Sequence, residues 1–291
     1  MKDFEDFVPQ LTDDGSFTFF SADYGELFHS SRGAREEALL KFVQPALLAQ
    51  VAKKPSLRIL DICYGLGYNT AAALTTIWAI NPNCWVEVVG LELNPAVPQA
   101  AITHQFLSWA GESTPIFSKL AMEHQAWTDR LKATLLIGDA RVTIGLVQQS
   151  GFLADAVFLD PFSPPHCPQL WTMEFLERVS LCLCWDGRIA TYSSAAAVRT
   201  ALLATGLQIG STPPVGRRSP GTVASWVTYD LPALSQQEQE HLHTRAAIPY
   251  RDPYLCDSAT VILQRRQEEQ RASQLEPASH WRKRYYSPLN N

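Results

Sequence analysis

Asp160 ends an apolar stretch of the chain in an unusual way. The segment "DAVFLDPFSPPHCPQLW", residues 155–171, runs from apolar residues into Asp160 and continues directly through Pro161 to Phe162. A carboxylate in such a place can orient an amine by accepting its hydrogen bond, and it can accept the proton that the amine loses. The aromatic ring of Phe162 can stack on a planar substrate. Asp160 and Phe162 are therefore the candidate catalytic residues, Phe162 is also a candidate substrate contact, and the substrate is expected to be nitrogenous.

Two glycines follow another apolar stretch upstream. The segment "LRILDICYGLGYN", residues 57–69, places Gly65 and Gly67 just after a run that contains Asp61. Glycines after a strand let the backbone approach a ligand closely and turn into a helix, whose first amides can bind a carboxylate. A plain tight turn is the alternative interpretation of this loop.

Acidic residues end two further apolar stretches. Glu92, in "WVEVVGLEL", can accept hydrogen bonds from both hydroxyls of a ribose, although a solvated strand end would give the same pattern. Asp139, in "ATLLIGDA", can accept a hydrogen bond from an adenine amino group, and the small Ala140 leaves room for the ring. The alternative for Asp139 is a helix N-cap.

Four stretches thus end on residues that suit one nucleoside ligand. A dinucleotide site would carry Gly-x-Gly-x-x-Gly, whereas Thr70 stands at the third position here, so a ligand without phosphates is favoured. S-adenosylmethionine is such a ligand, with a carboxylate for the glycine loop and a ribose for Glu92. The candidate cofactor-binding residues are Asp61, Tyr64, Gly65, Gly67, Asn69, Glu92, Leu93, Asp139, Ala140, Asp160 and Pro161.

These residues need a scaffold that brings the ends of several strands together. Apolar strands are predicted at 57–63, 85–93, 133–140, 154–160 and 187–193, each followed by a helix, and two consecutive strands at 207–211 and 222–230 close the series. Such alternation predicts an α/β fold with a mostly parallel sheet covered on both faces, whose ligands bind at the carboxyl ends of the strands. The expectation is the Rossmann-like class I fold of S-adenosylmethionine-dependent methyltransferases, with seven strands.

Three segments are predicted along the chain. Residues 1–50 combine a β-hairpin, turning near Asp23 to Gly25, with a helix over 34–52 that Pro45 kinks or splits. That helix is expected to align Leu39, Phe42 and Val43 on one side. Residues 51–234 form the class I methyltransferase domain, and residues 235–291 form a polar, helical C-terminal extension.

Composition and charge indicate where the protein is expected to work and what it could bind. No run of about 18 apolar residues is present, and the acidic start "MKDFEDFVPQ" is unlike a secretory signal, so a cytoplasmic enzyme without membrane contact is expected. Six scattered cysteines without a CxxC pair predict reduced thiols and no metal site. The net charge of −5 is uneven, because residues 188–291 hold 12 Lys and Arg against 8 Asp and Glu, and a local basic surface can bind phosphates.

Four further groups of residues form a recognisable set: Asp160-Pro161-Phe162-Ser163-Pro164, Pro168 with Trp171, Thr191 to Ala195, and Gly216-Arg217-Arg218. In these groups the chain resembles the methyltransferase domain of the MnmC tRNA-modifying enzymes. The resemblance covers about residues 14–230. Pro161 stands where that family has glycine, and the acidic residue that usually follows the basic pair is missing.

The resemblance implies a reaction and its partners. A methyl group would pass from S-adenosylmethionine to the aminomethyl group on C5 of the wobble uridine, often 2-thiouridine, of certain tRNAs. Arg217 and Arg218 would contact this substrate. Bifunctional family members carry a flavin domain that residues 235–291 are too few to form, so a stand-alone methyltransferase without flavin is expected, with its aminomethyluridine made by a separate enzyme.

Two other activities remain open at the level of sequence. One is an N-methyltransferase that acts on a small amine or a protein. The other is an aminopropyltransferase of the spermidine-synthase kind, which shares the N-terminal strand element and the sheet. Those enzymes favour a Gly-Gly-Gly-Asp-Gly loop, however, and the loop of this chain reads Tyr64-Gly65-Leu66-Gly67-Tyr68.

Overall fold

The computed structural model describes residues 7–215 and 219–286. Its strands are β1 (Gln10–Leu11), β2 (Phe17–Thr18), β3 (Phe20–Ser21), β4 (Glu26–Leu27), β5 (Ser56–Ile62), β6 (Trp85–Glu92), β7 (Gln125–Thr128), β8 (Leu131–Ile137), β9 (Ala154–Leu159), β10 (Leu183–Thr191), β11 (Gln208–Thr212) and β12 (Gly221–Ser225).

The helices lie between and after the strands. They are α1 (Ala34–Glu37), α2 (Leu48–Val51), α3 (Tyr68–Ile80), α4 (Ala96–Thr103), α5 (Thr114–Glu123), α6 (Ala140–Gln149), α7 (Met173–Ser180), α8 (Ala196–Ala204), α9 (Gln236–His241), α10 (Ala259–Ala272) and α11 (Ala278–Tyr286). A π-helical turn spans Ala38–Val43, and 3₁₀ turns span Ser108–Ser113, Pro168–Trp171 and Arg245–Ala247.

A single eight-stranded sheet organises the chain, in the order β11-β12-β10-β9-β5-β6-β8-β7. The five strands from β10 to β8 are parallel, while β12 lies antiparallel between β10 and β11. The class I α/β fold is thereby confirmed, but the predicted count of seven strands is wrong. The additional strand, β7, pairs antiparallel with β8 at one edge. The sequence of β7, "QAWT", lacks the apolar pattern of the other strands, and its Trp127 is 63% exposed.

Alternation along the central strands explains why both faces of the sheet are covered. On β5, Leu57 and Ile59 join an apolar cluster on one face, whereas Leu60 and Ile62 join a second cluster on the other. Because both faces are buried, the strand reads as a nearly continuous apolar run. The parallel arrangement then brings the carboxyl ends of β5, β6, β8 and β9 to one edge of the sheet.

The N-terminal element departs from a simple helix. The hairpin of β3 and β4 turns through Gly25, and the expected helix over 34–52 is divided into α1, the π-helical turn and α2. A π-helical turn holds more residues per turn than an α-helix, so it changes which side chains face the core. As a result, Leu39 is 39% exposed although it was expected on the apolar side, while Lys41 is only 1% exposed.

The C-terminal extension packs on the sheet domain through both apolar and polar contacts, and Tyr250 and Ile262 are buried in the apolar cluster on one face of the sheet. Arg199 on α8 pairs with Glu238 on α9 at 2.8 Å, and Arg141 on α6 pairs with Asp252 at 3.0 Å. Tyr250 forms a bridge with Thr172 ahead of α7. The boundaries predicted near residues 50 and 234 remain predictions.

We expect Arg199→Met to destabilise the fold strongly. The guanidinium is 2% exposed and donates to the Thr222 hydroxyl at 2.9 Å as well as pairing with Glu238. Burial favours protonation of Glu238, but hydrogen bonds from Ser211, Ser235 and Arg199 lower its pKa to about 2. Loss of one partner of a buried pair costs about 3–5 kcal/mol in the free energy of unfolding, which urea denaturation would measure. Arg284→Met, at an exposed ion pair with Glu276, is the control and should leave that free energy nearly unchanged.

Candidate active site

A cavity of about 410 Å³ lies at the carboxyl ends of the central strands, under the N-terminal element. Its size falls in the range of sites for cofactors and small substrates. The structure brings many of the predicted site residues together in its wall: Gly65, Glu92, Leu93, Asp139, Ala140, Asp160, Pro161 and Phe162. Their individual binding roles remain predictions.

Asp61 and Asn69 lie behind this wall rather than in it. Asp61 is fully buried, and its Oδ2 accepts a hydrogen bond from the Thr70 hydroxyl at 2.6 Å. Burial raises the pKa of Asp61 to about 7, although the bonds from Thr70 oppose the shift. In the described part of the chain, Oδ1 of Asp61 and Oδ1 of Asn69 are buried without a hydrogen-bond partner. Both residues are therefore buried behind the glycine loop and do not line the cavity.

The two glycines of the loop have different structural roles. Gly65 lines the cavity with a φ of 55°, a conformation that disfavours side chains. Gly67 caps α3 with a φ of 85°, and a Cβ there would come within 2.7 Å of the Tyr64 hydroxyl. Gly65 therefore exposes backbone to a ligand, whereas Gly67 allows the tight turn to pack against Tyr64.

The Glu92 carboxylate is fixed at the cavity by backbone amides. Its Oε2 accepts from the Gly65 N–H at 2.8 Å, and its Oε1 accepts from the Asn94 N–H at 2.8 Å. Burial raises the pKa of Glu92, while these hydrogen bonds favour the ionised form. Each carboxylate oxygen retains a lone pair, so the group can accept two hydroxyl hydrogen bonds in addition.

Asp139 is held by its own helix and by the C-terminal extension. It is the N-cap of α6, because its side chain accepts from the Arg141 N–H at 2.9 Å. The Arg141 guanidinium also bonds to it at 2.7 Å and reaches the fully buried Asp252 at 3.0 Å. Burial opposes ionisation of Asp139, but the hydrogen bonds and charge of Arg141 keep its pKa low. Asp139 lines the cavity as well, so the cap and the proposed adenine contact are compatible.

Asp160 is a partly buried acid in the cavity wall. Its Oδ2 accepts a hydrogen bond from the Asn69 amide at 2.9 Å. Burial raises its pKa well above the ordinary value, and the nearby charges of Glu37 and Asp61 add to the rise, while Asn69 and Lys41 oppose it. An acid with a shifted pKa in a cleft is typical of functional sites, so Asp160 is a candidate for a residue that takes part in the reaction.

The loop after Asp160 is held from three directions. The Tyr192 hydroxyl donates to the Pro161 carbonyl at 2.8 Å, and the Trp171 indole N–H donates to the Phe162 carbonyl at 2.8 Å. On the third side, the Glu26 carboxylate accepts from the Ser163 hydroxyl at 2.6 Å. Trp171 therefore supports the loop, and the ring of Phe162 has a fixed position in the cavity wall.

The N-terminal element contributes site residues that the sequence interpretation missed. Tyr24 stacks on Phe162 with ring centroids 4.3 Å apart, and Phe28 meets the same ring edge-on at 5.0 Å. Glu37 and Lys41 also line the cavity. The aromatic residues around the Asp23–Gly25 turn were visible in the sequence, but only the tertiary fold shows that they face Phe162.

Some predictions fall outside the site or outside the described chain. Arg217 and Arg218 lie outside the described residues, so their substrate contact stays a prediction. One described cluster has ligand atoms close enough for a metal, namely Asp155, Cys184 and Asp186 at the amino ends of the strands. The Lys54 ammonium already contacts both of its carboxylates, at 2.9 and 3.1 Å.

Among the helices of the described ranges, 7–215 and 219–286, none combines the length and the apolar character that a membrane crossing requires.

The groups in the wall fit S-adenosylmethionine. Glu92 offers acceptors for two ribose hydroxyls, and Gly65 offers an open backbone next to the start of α3. Leu93 and Ala140 supply apolar contact beside the acceptor Asp139. These are the chemical groups that a nucleoside with an amino-acid tail requires.

Comparisons with known proteins agree with this assignment. A family model described as an S-adenosyl-L-methionine-dependent methyltransferase matches residues 105–226. The crystal structure of MnmC2 from Aquifex aeolicus is 33% identical, with a TM-score of 0.78, and the match covers 92% of this chain and 86% of that one.

Two curated relatives extend the comparison. An uncharacterized protein from Methanocaldococcus jannaschii is 30% identical over 91% of this chain and 72% of its own. The tRNA 5-methylaminomethyl-2-thiouridine biosynthesis bifunctional protein MnmC of Ralstonia nicotianae is 29% identical over 76% of this chain. The match covers 35% of that bifunctional protein, so this chain spans about a third of its length.

Proposed function

Because this chain belongs to the family of the MnmC methyltransferases, which depend on S-adenosylmethionine, we propose that it methylates the aminomethyl nitrogen of 5-aminomethyluridine in tRNA. The uridine, or its 2-thio form, would occupy the wobble position, and the product would be 5-methylaminomethyluridine. The name of the Ralstonia relative includes such a methylaminomethyl product, which supports this choice of substrate.

The observation that carries the proposal is the setting of Asp160. Its carboxylate is oriented by Asn69 and lies in one cavity with Glu92 and with the aromatic wall of Phe162. An amine donor needs an acceptor within hydrogen-bonding reach, and a pyrimidine ring needs an apolar, flat surface. The cavity offers both side by side.

The chemistry follows from the residues of the chain. S-adenosylmethionine supplies a methyl group on a positively charged sulfur, and transfer to nitrogen breaks the S–C bond, forms an N–C bond and leaves a neutral thioether. Asp160 accepts a hydrogen bond from the amine and directs the nitrogen lone pair away from itself, toward the methyl carbon. The proton that the nitrogen loses passes to Asp160 and then to water.

Other groups hold the reactants and exclude water. Glu92 fixes the ribose, and the exposed backbone at Gly65, next to the start of α3, receives the amino-acid tail of the cofactor. Tyr24 and Phe28 brace the ring of Phe162, which therefore presents a rigid surface to the base. A rigid wall reduces the entropy lost when the substrate is bound in an orientation that can react.

Nucleoside mass spectrometry of tRNA from cells that lack this protein tests the proposal. We expect 5-aminomethyluridine to accumulate and the methylated nucleoside to disappear, with restoration by the wild-type gene. In vitro, radiolabel from S-adenosylmethionine should enter bulk tRNA and be released by ribonuclease. Label that enters a small amine or a protein, and that resists ribonuclease, would replace the tRNA assignment by the small-amine or protein alternative.

A further inference from the structure

A buried ion pair lines the cavity next to Asp160. The Lys41 ammonium lies 3.5 Å from Oε1 of Glu37, and the two side chains are only 2% and 10% exposed. The other oxygen of Glu37 accepts from the Ser30 N–H at 3.0 Å. Burying two charges costs more than a well-packed apolar pair would, so such a pair is weak evidence for stability and calls for another explanation.

The π-helical turn delivers Lys41 to the cavity. In this turn the Gln44 N–H bonds to the Leu39 carbonyl, five residues back, at 2.9 Å. The extra residue turns Lys41 inward and Leu39 outward, against the apolar pattern of the sequence. Single π-helical turns occur frequently at functional sites. This one places the charged Lys41 in the cavity wall and leaves Leu39 at the surface.

Lys41 is also linked to the loop that carries Asp160. Its ammonium lies 5.9 Å from the centre of the Tyr192 ring, and the Tyr192 hydroxyl donates to the Pro161 carbonyl at 2.8 Å. Glu37 and Lys41 both line the same cavity as Asp160, and their charges act on it with opposite signs, since a negative neighbour disfavours the ionised carboxylate and a positive neighbour favours it.

Other titratable groups face the same space. Those that line the cavity with Asp160 are Cys63, just after β5, Glu92 on β6, Tyr24, Cys167 and Tyr192, and Asp61 on β5 lies behind the wall. Asp23, Glu26, Asp139 and Arg141 line the remaining wall. Asp139 and Arg141 form an ion pair with each other, whereas the charges of Glu37 and Lys41 act on Asp160.

We propose that Glu37 and Lys41 are positioning residues for the transfer of the proton from the substrate amine to Asp160. This inference rests on the proposed methylation of an amine. Neither residue takes up the proton; their fixed charges set how readily Asp160 is ionised and therefore ready to accept it. Removal of one charge at a time should move the ionisation of Asp160 in opposite directions.

Sinefungin gives a test that does not depend on turnover. In this analogue an amine on carbon replaces the methylated sulfur, so its ammonium would lie beside Asp160. Calorimetry should show its affinity rising with pH as Asp160 ionises, whereas S-adenosylhomocysteine, which carries no charge there, should follow pH much less. We expect this rise to move up by about one pH unit in Lys41→Met and down by about one pH unit in Glu37→Gln.

The pH profile is expected to shift in opposite directions in the two variants, so one variant that folds is sufficient for the test. The matched controls are Arg32→Met and Glu36→Gln, which break an exposed pair of 3.5 Å on the same element and should not move the profile. A shift opposite to the expected one, or no shift, in either variant that folds would overturn the role of the pair. The kcat/KM profile for methylation should shift in parallel, because the pKa of the free amine is the same in all assays.

The two proposals can fail separately. Opposite shifts in sinefungin binding together with no methylation of any tRNA would overturn the proposed substrate and leave the pair intact. Normal methylation of tRNA without the opposite shifts would overturn the role of Glu37 and Lys41 alone.

Discussion

Asp160→Ala abolishes nearly all methyl transfer, with kcat reduced by about 10²–10⁴, while the dissociation constant of S-adenosylhomocysteine stays within about tenfold of wild type. The variant removes the acceptor that orients the amine and takes its proton, but it leaves Glu92 and the glycine loop in place. Single-turnover kinetics would measure the rate, and calorimetry would measure the affinity. Unchanged turnover would contradict the role given to Asp160.

Asp160→Asn separates orientation from proton acceptance. The Asn69 Oδ1 has no partner among the residues described, so the Asn69 amide can flip, accept a hydrogen bond from the new amide of this variant and leave the oxygen of that amide toward the cavity. It then still accepts a hydrogen bond from the amine but cannot take up a proton. We expect it to retain more activity than Asp160→Ala. Equal loss in both variants would show that proton acceptance carries the whole effect.

The pH dependence has a definite sign. Burial and the charges of Glu37 and Asp61 raise the pKa of Asp160, so a larger fraction of the enzyme is protonated at the acidic end of the profile. Only the ionised carboxylate accepts the proton, and kcat/KM should therefore rise as the pH passes upward through that pKa. This limb should be missing in Asp160→Asn. Asp186→Ala, at the opposite end of the strands, is a control that should keep the wild-type profile.

The strand ends were predictable because parallel strands are strongly patterned. Each of β5, β6, β8 and β9 is an apolar run, and the fold rule places their carboxyl ends at one edge. Glu92 and Asp160 could therefore be assigned to one cavity from their positions in the sequence. The predicted site residues lie at the ends of these strands, and a single sequence indicates short patterned segments such as these strands most clearly.

The features that were missed depend on irregular geometry or on distant contacts. The inward position of Lys41 follows from a π-helical turn, which shifts the helical phase without any clear mark in the sequence. The ion pair of Arg141 with Asp252 joins residues 111 positions apart, so the contribution of the C-terminal extension to the site had no local pattern. β7 is too short and too exposed to show the alternation of a strand.

Glu92→Gln weakens cofactor binding with little effect on the rate at saturation. The change removes the charge that strengthens the hydrogen bonds from the ribose hydroxyls, and its new N–H donor must face the Gly65 or the Asn94 amide. A hydrogen bond to a charged group contributes about 1.5–3 kcal/mol, so the dissociation constant of S-adenosylhomocysteine should rise by about 10–100-fold. Calorimetry measures this constant directly. Glu87→Gln, at the other end of β6, is the matched control.

A deoxy analogue separates the ribose contact from general damage to the site. Wild type should bind 2′-deoxy-S-adenosylhomocysteine more weakly than the parent compound, because a buried carboxylate then loses its hydroxyl partner. In Glu92→Gln the same deletion should cost less, since the partner is already impaired, and the difference between the two costs is the coupling energy of the contact. Equal costs in both proteins would mean that Glu92 only braces the loop through Gly65 and Asn94. The cofactor would then have to be held by other groups of the cavity.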